Sequence, residues 1–192
     1  MGSAPLPVPV RNVRRWLPLG VALTIVVAQL LPHPPGVAPI RAAALFGGAR
    51  FASAWSAFGV PLAAHFAGAL ALAWLRGDAP AAFHTLLPVV YACFALNVVL
   101  GRALRTRRGA LPVAAATAAG SLLFFALTNL AVWLLLDTYP PTAEGLAACY
   151  AAGLPLLASG LLGDAAWTAL FFGGHAALVR GLRTPVRSHG LA

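Results

Sequence analysis

Apolar residues form six long stretches along the chain, separated by short segments that are rich in Arg, Pro or Gly. A helix that crosses a membrane needs about 20 consecutive, mostly apolar residues, and the third, fourth and fifth stretches reach or approach this length. The pattern therefore predicts an all-α fold, an integral membrane bundle of six helices. The six stretches are residues 16–31, 37–51, 52–75, 83–100, 111–136 and 145–179.

Two of these stretches do not have the length of an ordinary crossing. The second is short and contains Arg41. The last would form a helix of about 52 Å at about 1.5 Å per residue, which is longer than one crossing requires. It contains Pro155, and proline removes a helix hydrogen bond. We therefore expect a short second helix and a last segment that is broken near Pro155.

The composition agrees with a chain whose outer surface meets lipid. Hydrophobic residues make up 60% of the chain and charged residues only 9%, whereas roughly a quarter of the residues in a soluble domain are charged. The two cysteines, Cys93 and Cys149, have no partners at metal or redox spacing, so no metal or cofactor is predicted. The formal net charge of +9 does not indicate nucleic-acid binding, because no basic face with interleaved aromatic residues is visible.

The arginines predict the orientation of the helices. If all six stretches cross the membrane, every arginine except Arg41 and Arg76 falls on the side of the N-terminus. Short cytoplasmic loops are enriched in Lys and Arg. We therefore expect a multi-pass protein of the inner (plasma) membrane with both termini in the cytoplasm. Residues 1–13 and 181–192 are predicted to be cytoplasmic tails, and residues 14–180 the membrane domain. The N-terminal region also has the layout of a signal peptide, but an uncleaved first helix fits better because the following sequence stays apolar.

Polar residues at membrane depth are candidates for a binding site, because such side chains are costly in hydrocarbon and usually face the bundle interior. Most of them fall in the predicted outer half, which favours a pocket that opens to the outside. The aromatic candidates have an alternative role in the interfacial belt. The candidate lining residues are Gln29, His33, Arg41, Asn129, Trp133, Tyr150 and Asp164.

Arg41 and Asp164 carry opposite charges on different predicted helices, so a salt bridge between them would lower the cost of burying each. Such a pair would either fix the helix register or also bind a polar group of a solute, and the sequence leaves both roles open. Helical spacing also places Thr117 and Ser121 on one face of the fifth helix, and Asp164 and Thr168 on one face of the last.

Several short motifs, in a fixed order, carry a resemblance to a known family. The ordered set resembles a family of small bacterial membrane proteins of unknown function, whose members are often labelled putative transport proteins. The resemblance covers roughly residues 30–172. The motifs include LLPHPP at 30–35, ALFGGA at 44–49, GSLLFF at 120–125 and Gly163-Asp164.

That family is in turn distantly similar to the substrate-binding components of energy-coupling-factor transporters. This similarity implies a six-helix protein that captures a small solute from outside and docks on an energising membrane module. Two features depart from the expected patterns. The docking face of those components often has alanines four residues apart on the first helix, whereas here Ala22 and Ala28 are six apart. The family is also expected to have an acidic residue late in the third helix, whereas residues 64–68 contain His65 but no acidic residue.

The prediction is therefore a membrane transport protein that binds a small solute and is not an enzyme. No nucleotide-binding loop is present, so any use of ATP would require a partner. An accessory subunit whose polar residues only hold helices together is the alternative. A membrane-embedded enzyme is less favoured, since His33, His84 and Asp164 would have to converge in the fold.

Overall fold

The computed structural model describes residues 8–78, 83–107 and 109–182. Over these residues the chain is all-helical, which confirms the predicted six helices. They are α1 (Val8–Leu30), α2 (Ile40–Arg50), α3 (Ala54–Leu75), α4 (Leu87–Ala103), α5 (Ala110–Leu135) and α6 (Ala143–Gly181). Helix α1 begins inside the segment predicted as the N-terminal tail. The predicted C-terminal tail lies outside the described residues, apart from its first two positions.

Helix α2 lies at the centre of the bundle and contacts each of the other five helices. Its length of 11 residues confirms the predicted short second helix. Nine of these residues, Ile40 to Gly48, are buried without interruption. A helix that is surrounded by protein on all sides does not have to match the thickness of the hydrocarbon, so its shortness is tolerated. Its position also brings the charged side chain of Arg41 into the interior.

Two glycines allow the backbones of α2 and α4 to touch. A Cβ atom on Gly48 would overlap the carbonyl oxygen of Val98, and a Cβ on Gly101 would overlap the carbonyl oxygen of Leu45. Small residues at helix crossings permit this close approach. Inside lipid there is no hydrophobic driving force between helices, so their association depends on such close van der Waals packing. The pair of glycines therefore fixes the position of α2 against α4.

The prediction that the last segment breaks near Pro155 is wrong. Helix α6 runs through Pro155 without interruption. Thr142 is its N-cap residue, and the Thr142 hydroxyl accepts a hydrogen bond from the amide of Gly145 at 3.1 Å. Proline is tolerated inside membrane helices because neighbouring groups and local adjustments satisfy the freed backbone. The irregular part of α6 comes later, as a π-helical segment at Ala169–Gly173.

Three helices, α3, α5 and α6, are long and apolar enough to cross a membrane. The surface carries many large apolar side chains, among them Trp55 at 90% exposure, Leu111 at 80% and Leu162 at 74%. In water, exposed apolar surface of this extent promotes association, whereas in lipid it is the ordinary outer surface of a helix bundle. The pattern of exposure therefore agrees with the predicted membrane environment.

Candidate functional site

A cavity of about 280 Å³ lies between the start of α2, the middle and C-terminal part of α5 and the middle of α6. Its walls are mainly apolar and aromatic, with a few polar groups, which is the usual construction of a small-molecule site. The residues that line it are Pro35, Gly36, Arg41, Ser121, Phe124, Phe125, Thr128, Asn129, Gly153, Leu156, Leu157 and Gly160.

Arg41 forms the predicted ion pair with Asp164. Its Nε donates to Asp164 Oδ2 at 2.6 Å, and the same oxygen accepts a hydrogen bond from Ser121 Oγ at 2.5 Å. Asp164 is only 1% exposed, and its other oxygen, Oδ1, has no hydrogen-bond partner among the described residues. A charge that is removed from water requires both a counter-charge and hydrogen bonds. The pair therefore joins α2, α5 and α6 through one carboxylate.

The guanidinium of Arg41 has further contacts that fix its position. Its Nη2 donates to the carbonyl of Gly36 at 3.1 Å, and its Cζ lies 4.6 Å from the centroid of the Phe124 ring. A Cβ on Gly160 would come within 2.9 Å of Nη2, so the absence of a side chain there makes room for the guanidinium. The third nitrogen, Nη1, donates to no described residue. Arg41 lines the cavity, so the two N–H groups of Nη1 and the second N–H of Nη2 remain to donate to a bound molecule.

Asn129 supplies a second polar group on the opposite wall. Its Nδ2 donates to the carbonyl of Phe125 at 2.8 Å, one turn earlier in α5. A Cβ on Gly153 would approach Asn129 Oδ1 to 2.6 Å, so the glycine leaves space for the amide. Thr128 Oγ1 donates to the carbonyl of Phe124 at 2.7 Å and keeps its lone pairs. The wall thus offers hydrogen-bond acceptors, and the remaining amide proton of Asn129 can donate.

Of the seven predicted lining residues, Arg41 and Asn129 line the cavity, and Asp164 lies behind Arg41. Two others donate to backbone carbonyls outside the cavity lining. Tyr150 donates from its hydroxyl to the carbonyl of Ala126 at 2.7 Å, and Trp133 Nε1 donates to the carbonyl of Pro140 at 2.9 Å. Both aromatic residues therefore bond to or from the C-terminal part of α5 and do not line the cavity.

The remaining two predicted residues lie elsewhere in the described structure. Gln29 belongs to a separate polar cluster between α1 and α3, where its Nε2 donates to His65 Nδ1. His33 is exposed and its Nδ1 bonds to the carbonyl of Leu31 at 2.9 Å. The sequence suggested a similar depth for all seven residues, but depth alone does not specify which face of the bundle a side chain occupies.

Several lining residues were absent from the predicted set. Ser121 carried a signal, because its helical spacing from Thr117 placed both on one face of α5. In the structure that face meets α6, where Thr117 Oγ1 donates to Thr168 Oγ1 at 3.2 Å. Phe124 and Gly160 carried no signal in a sequence that is rich in apolar and small residues, since only the fold brings them beside Arg41.

The three residues on which the enzyme alternative depended do not converge on a metal site. Among residues 8–78, 83–107 and 109–182, no group of three or more His, Cys, Asp or Glu side chains is arranged to hold a metal ion. Asp164 is bonded to Arg41 and Ser121, while His33 is exposed on the loop after α1.

No curated protein and no solved structure matches the chain. A family model described as a family of unknown function (DUF6580) matches residues 10–186, which is nearly the whole length. The match includes every residue that lines the cavity and both members of the Arg41–Asp164 pair. Over its described residues the chain is all-helical, and three of these helices are long and apolar enough to cross a membrane. The chain therefore belongs to DUF6580, a family of unknown function.

Proposed function

We propose that the chain is a membrane transport component that binds a small solute in the cavity between α2, α5 and α6. One observation carries the proposal: Arg41 lines this cavity, and one nitrogen of its guanidinium, Nη1, has no hydrogen-bond partner among the described residues. The positive charge is already balanced by Asp164, so the site does not need an anionic ligand. It favours a molecule with a neutral hydrogen-bond acceptor.

The size and walls of the cavity support a narrow class of solute. The volume of about 280 Å³ lies just below the range of roughly 300–1,000 Å³ that is usual for small-molecule pockets. Phe124 and Phe125 supply aromatic surface, and Asn129 supplies one amide. The preferred solute is therefore small and largely apolar, with an acceptor group for Arg41 and a polar group for Asn129.

The proposed setting is the inner (plasma) membrane, with both termini in the cytoplasm and the cavity reached from the outside. The distribution of arginines supports this orientation, since all but Arg41 and Arg76 fall on one side if each helix crosses once. Any use of ATP in this transport would require a partner, because the sequence has no nucleotide-binding loop. Docking on a module like that of energy-coupling-factor transporters belongs to this proposal.

The test is native mass spectrometry of detergent-purified protein, followed by thermal-shift screening of small polar and apolar compounds. We expect a compound that binds the wild type to lose at least about tenfold in affinity for Asn129→Leu, because one good hydrogen bond of a ligand is worth about 1.4 kcal/mol. Gln29→Leu is the matched control, since it removes a buried amide that lies outside the cavity. Equal losses for both variants would contradict the assignment of the site.

An accessory subunit is the second candidate, and one observation favours it. Polar side chains at the cavity and beyond it already link helices: Ser121 at the cavity donates to Asp164, and Thr117, farther along α5, donates to Thr168. Repeated failure to find any bound or stabilising compound with folded protein would favour this candidate. We propose no enzymatic activity for the chain.

A further inference from the structure

Two adjoining cavities lie at the end of the bundle away from the cavity that Arg41 lines. The first has a volume of about 770 Å³ and is formed by the end of α2, the end of α4 and the start of α5. Three of its lining residues are Arg50, Arg105 and Arg107, and none is acidic. None of these arginines forms an ion pair with a described residue. The cavity therefore concentrates positive charge without a counter-charge.

The arginines differ in how firmly they are held. Arg105 Nε donates to the carbonyl of Gly48 at 3.0 Å, and its Nη2 donates to the carbonyl of Phe51, so it caps the end of α2. The Cζ of Arg50 lies 5.7 Å from the centroid of the Phe172 ring. Neither the guanidinium of Arg50 nor that of Arg107 has a hydrogen-bond partner in the described part of the chain. These two side chains are available to an anion.

The second cavity is an apolar groove of about 620 Å³ between α5 and α6. It shares Arg50, Gly109, Val113 and Phe172 with the arginine-lined cavity, so the two adjoin. The groove ends near Thr117 and Thr168, whose hydroxyls bond to each other. Its other walls are mainly small residues: Ala110, Ala114, Ala118, Leu161, Ala165, Ala169, Gly173 and Ala176.

The local helix geometry explains why a groove forms here. The π-helical segment Ala169–Gly173 of α6 lies along the groove and contributes Ala169, Phe172 and Gly173 to its walls. A π-helical turn widens a helix and is found frequently at functional sites. Opposite it, Ala114 and Ala118 of α5 have side chains that are too short to fill the space. The two helices therefore leave an apolar channel that runs up to the arginines.

We propose that these adjoining cavities form a binding site for one anionic phospholipid. The phosphate group binds at Arg50 and Arg107, and one acyl chain lies in the groove between α5 and α6. Charge complementarity supports this occupant, because basic pockets between membrane helices bind anionic headgroups on the cytoplasmic side. The apolar groove starts at the same arginines, which suits a ligand with a charged head and an apolar tail better than a free anion.

The test measures lipid binding by native mass spectrometry on delipidated, detergent-purified protein. Phosphatidylglycerol and phosphatidylcholine with identical acyl chains are added separately, so that only the headgroup charge differs. We expect the wild type to prefer phosphatidylglycerol, and Arg50→Gln/Arg107→Gln to lower this preference on the order of tenfold, since each arginine near an anionic lipid contributes severalfold. Arg15→Gln/Arg76→Gln removes the same charge elsewhere and should leave the preference unchanged.

A second variant tests the groove. Ala118→Leu/Ala169→Leu fills the groove and should weaken the binding of both lipids without changing their ratio. Competition with inorganic phosphate should not displace phosphatidylglycerol, because phosphate lacks the acyl chain. The proposal would be overturned if the two double arginine variants lost the preference for phosphatidylglycerol equally. Complete displacement of phosphatidylglycerol by inorganic phosphate would also overturn it. So would a dimer of the wild type that dissociates in the groove variant, since a second copy would then occupy the groove. None of these readouts depends on the proposed solute.

Discussion

Arginine lines both the cavity between α2, α5 and α6 and the cavity at the other end of the bundle, but the two environments differ in charge balance. In the first, Arg41 is paired with Asp164, whose carboxylate also accepts from Ser121, and the arginine side chain is almost completely buried. In the second, Arg50 and Arg107 are exposed and have no acidic neighbour in the described part of the chain. The difference shows that the same side chain serves as an interior link when it is paired and as an open charge when it is not.

The paired arginine should give the largest effect on stability. Asp164→Ala leaves Arg41 buried without a counter-charge, and removing one member of a buried pair costs about 3–5 kcal/mol. We expect a loss of this size in the free energy of unfolding, measured by denaturant titration in detergent micelles.

The matched control for that loss removes both charges at once. Arg41→Met/Asp164→Leu should be nearly neutral, because apolar side chains of similar volume avoid the desolvation cost. The exchange Arg41→Asp/Asp164→Arg should recover part of the stability that Asp164→Ala loses. A double variant as unstable as Asp164→Ala would show that the pair is not the source of the loss.

The close contact between α2 and α4, next to the arginine-lined cavity, should give the next largest effect on stability. Gly48→Ala places a Cβ against the carbonyl of Val98 and pushes α2 away from α4, which we expect to cost about 1–3 kcal/mol, as for other overpacked sites. Gly59→Ala in α3 is the control, since no atom lies within 4 Å of its added Cβ. The control should be neutral or slightly stabilising; a comparable loss there would point to a general intolerance of alanine.

Arg105→Ala should have a smaller effect, because it removes hydrogen bonds to the end of α2 rather than a buried charge pair. The guanidinium bonds to the carbonyls of Gly48 and Phe51, and a cation at a helix C-terminus contributes about 0.3–2 kcal/mol. We expect a loss of this order in thermal unfolding. Arg107→Ala should have less effect on stability, since no such hydrogen bond holds its side chain.

Salt should produce the smallest change and should affect the two regions differently. Exposed charges are screened strongly once the Debye length falls to about 3 Å at 1 M salt, whereas buried pairs are screened much less. We expect 1 M NaCl to reduce the preference for phosphatidylglycerol and to leave the stability difference between wild type and Asp164→Ala within about 0.5 kcal/mol. A large salt effect on that difference would mean that water reaches the pair.

The Arg41–Asp164 pair could be predicted because the chain has only four acidic residues and few ionisable groups inside apolar stretches. Burying either charge alone is costly, so Arg41 was expected to pair with an acidic residue inside another apolar stretch. Gln29 and Tyr150 could not be assigned in the same way. A neutral polar side chain can be satisfied by many groups, and in the structure Gln29 bonds to His65 while Tyr150 bonds to the backbone of α5.

The sequence by itself determined the number of helices, the shortness of α2 and the apolar exterior, because these follow from hydrophobic length and composition. It could not determine that α6 continues through Pro155, since neighbouring helices decide whether a proline interrupts a membrane helix. Nor could it locate the two cavities. A cavity is the space left between packed helices, and its position depends on small differences in side-chain size at contacts such as Gly48 and Gly160, which only the tertiary structure specifies.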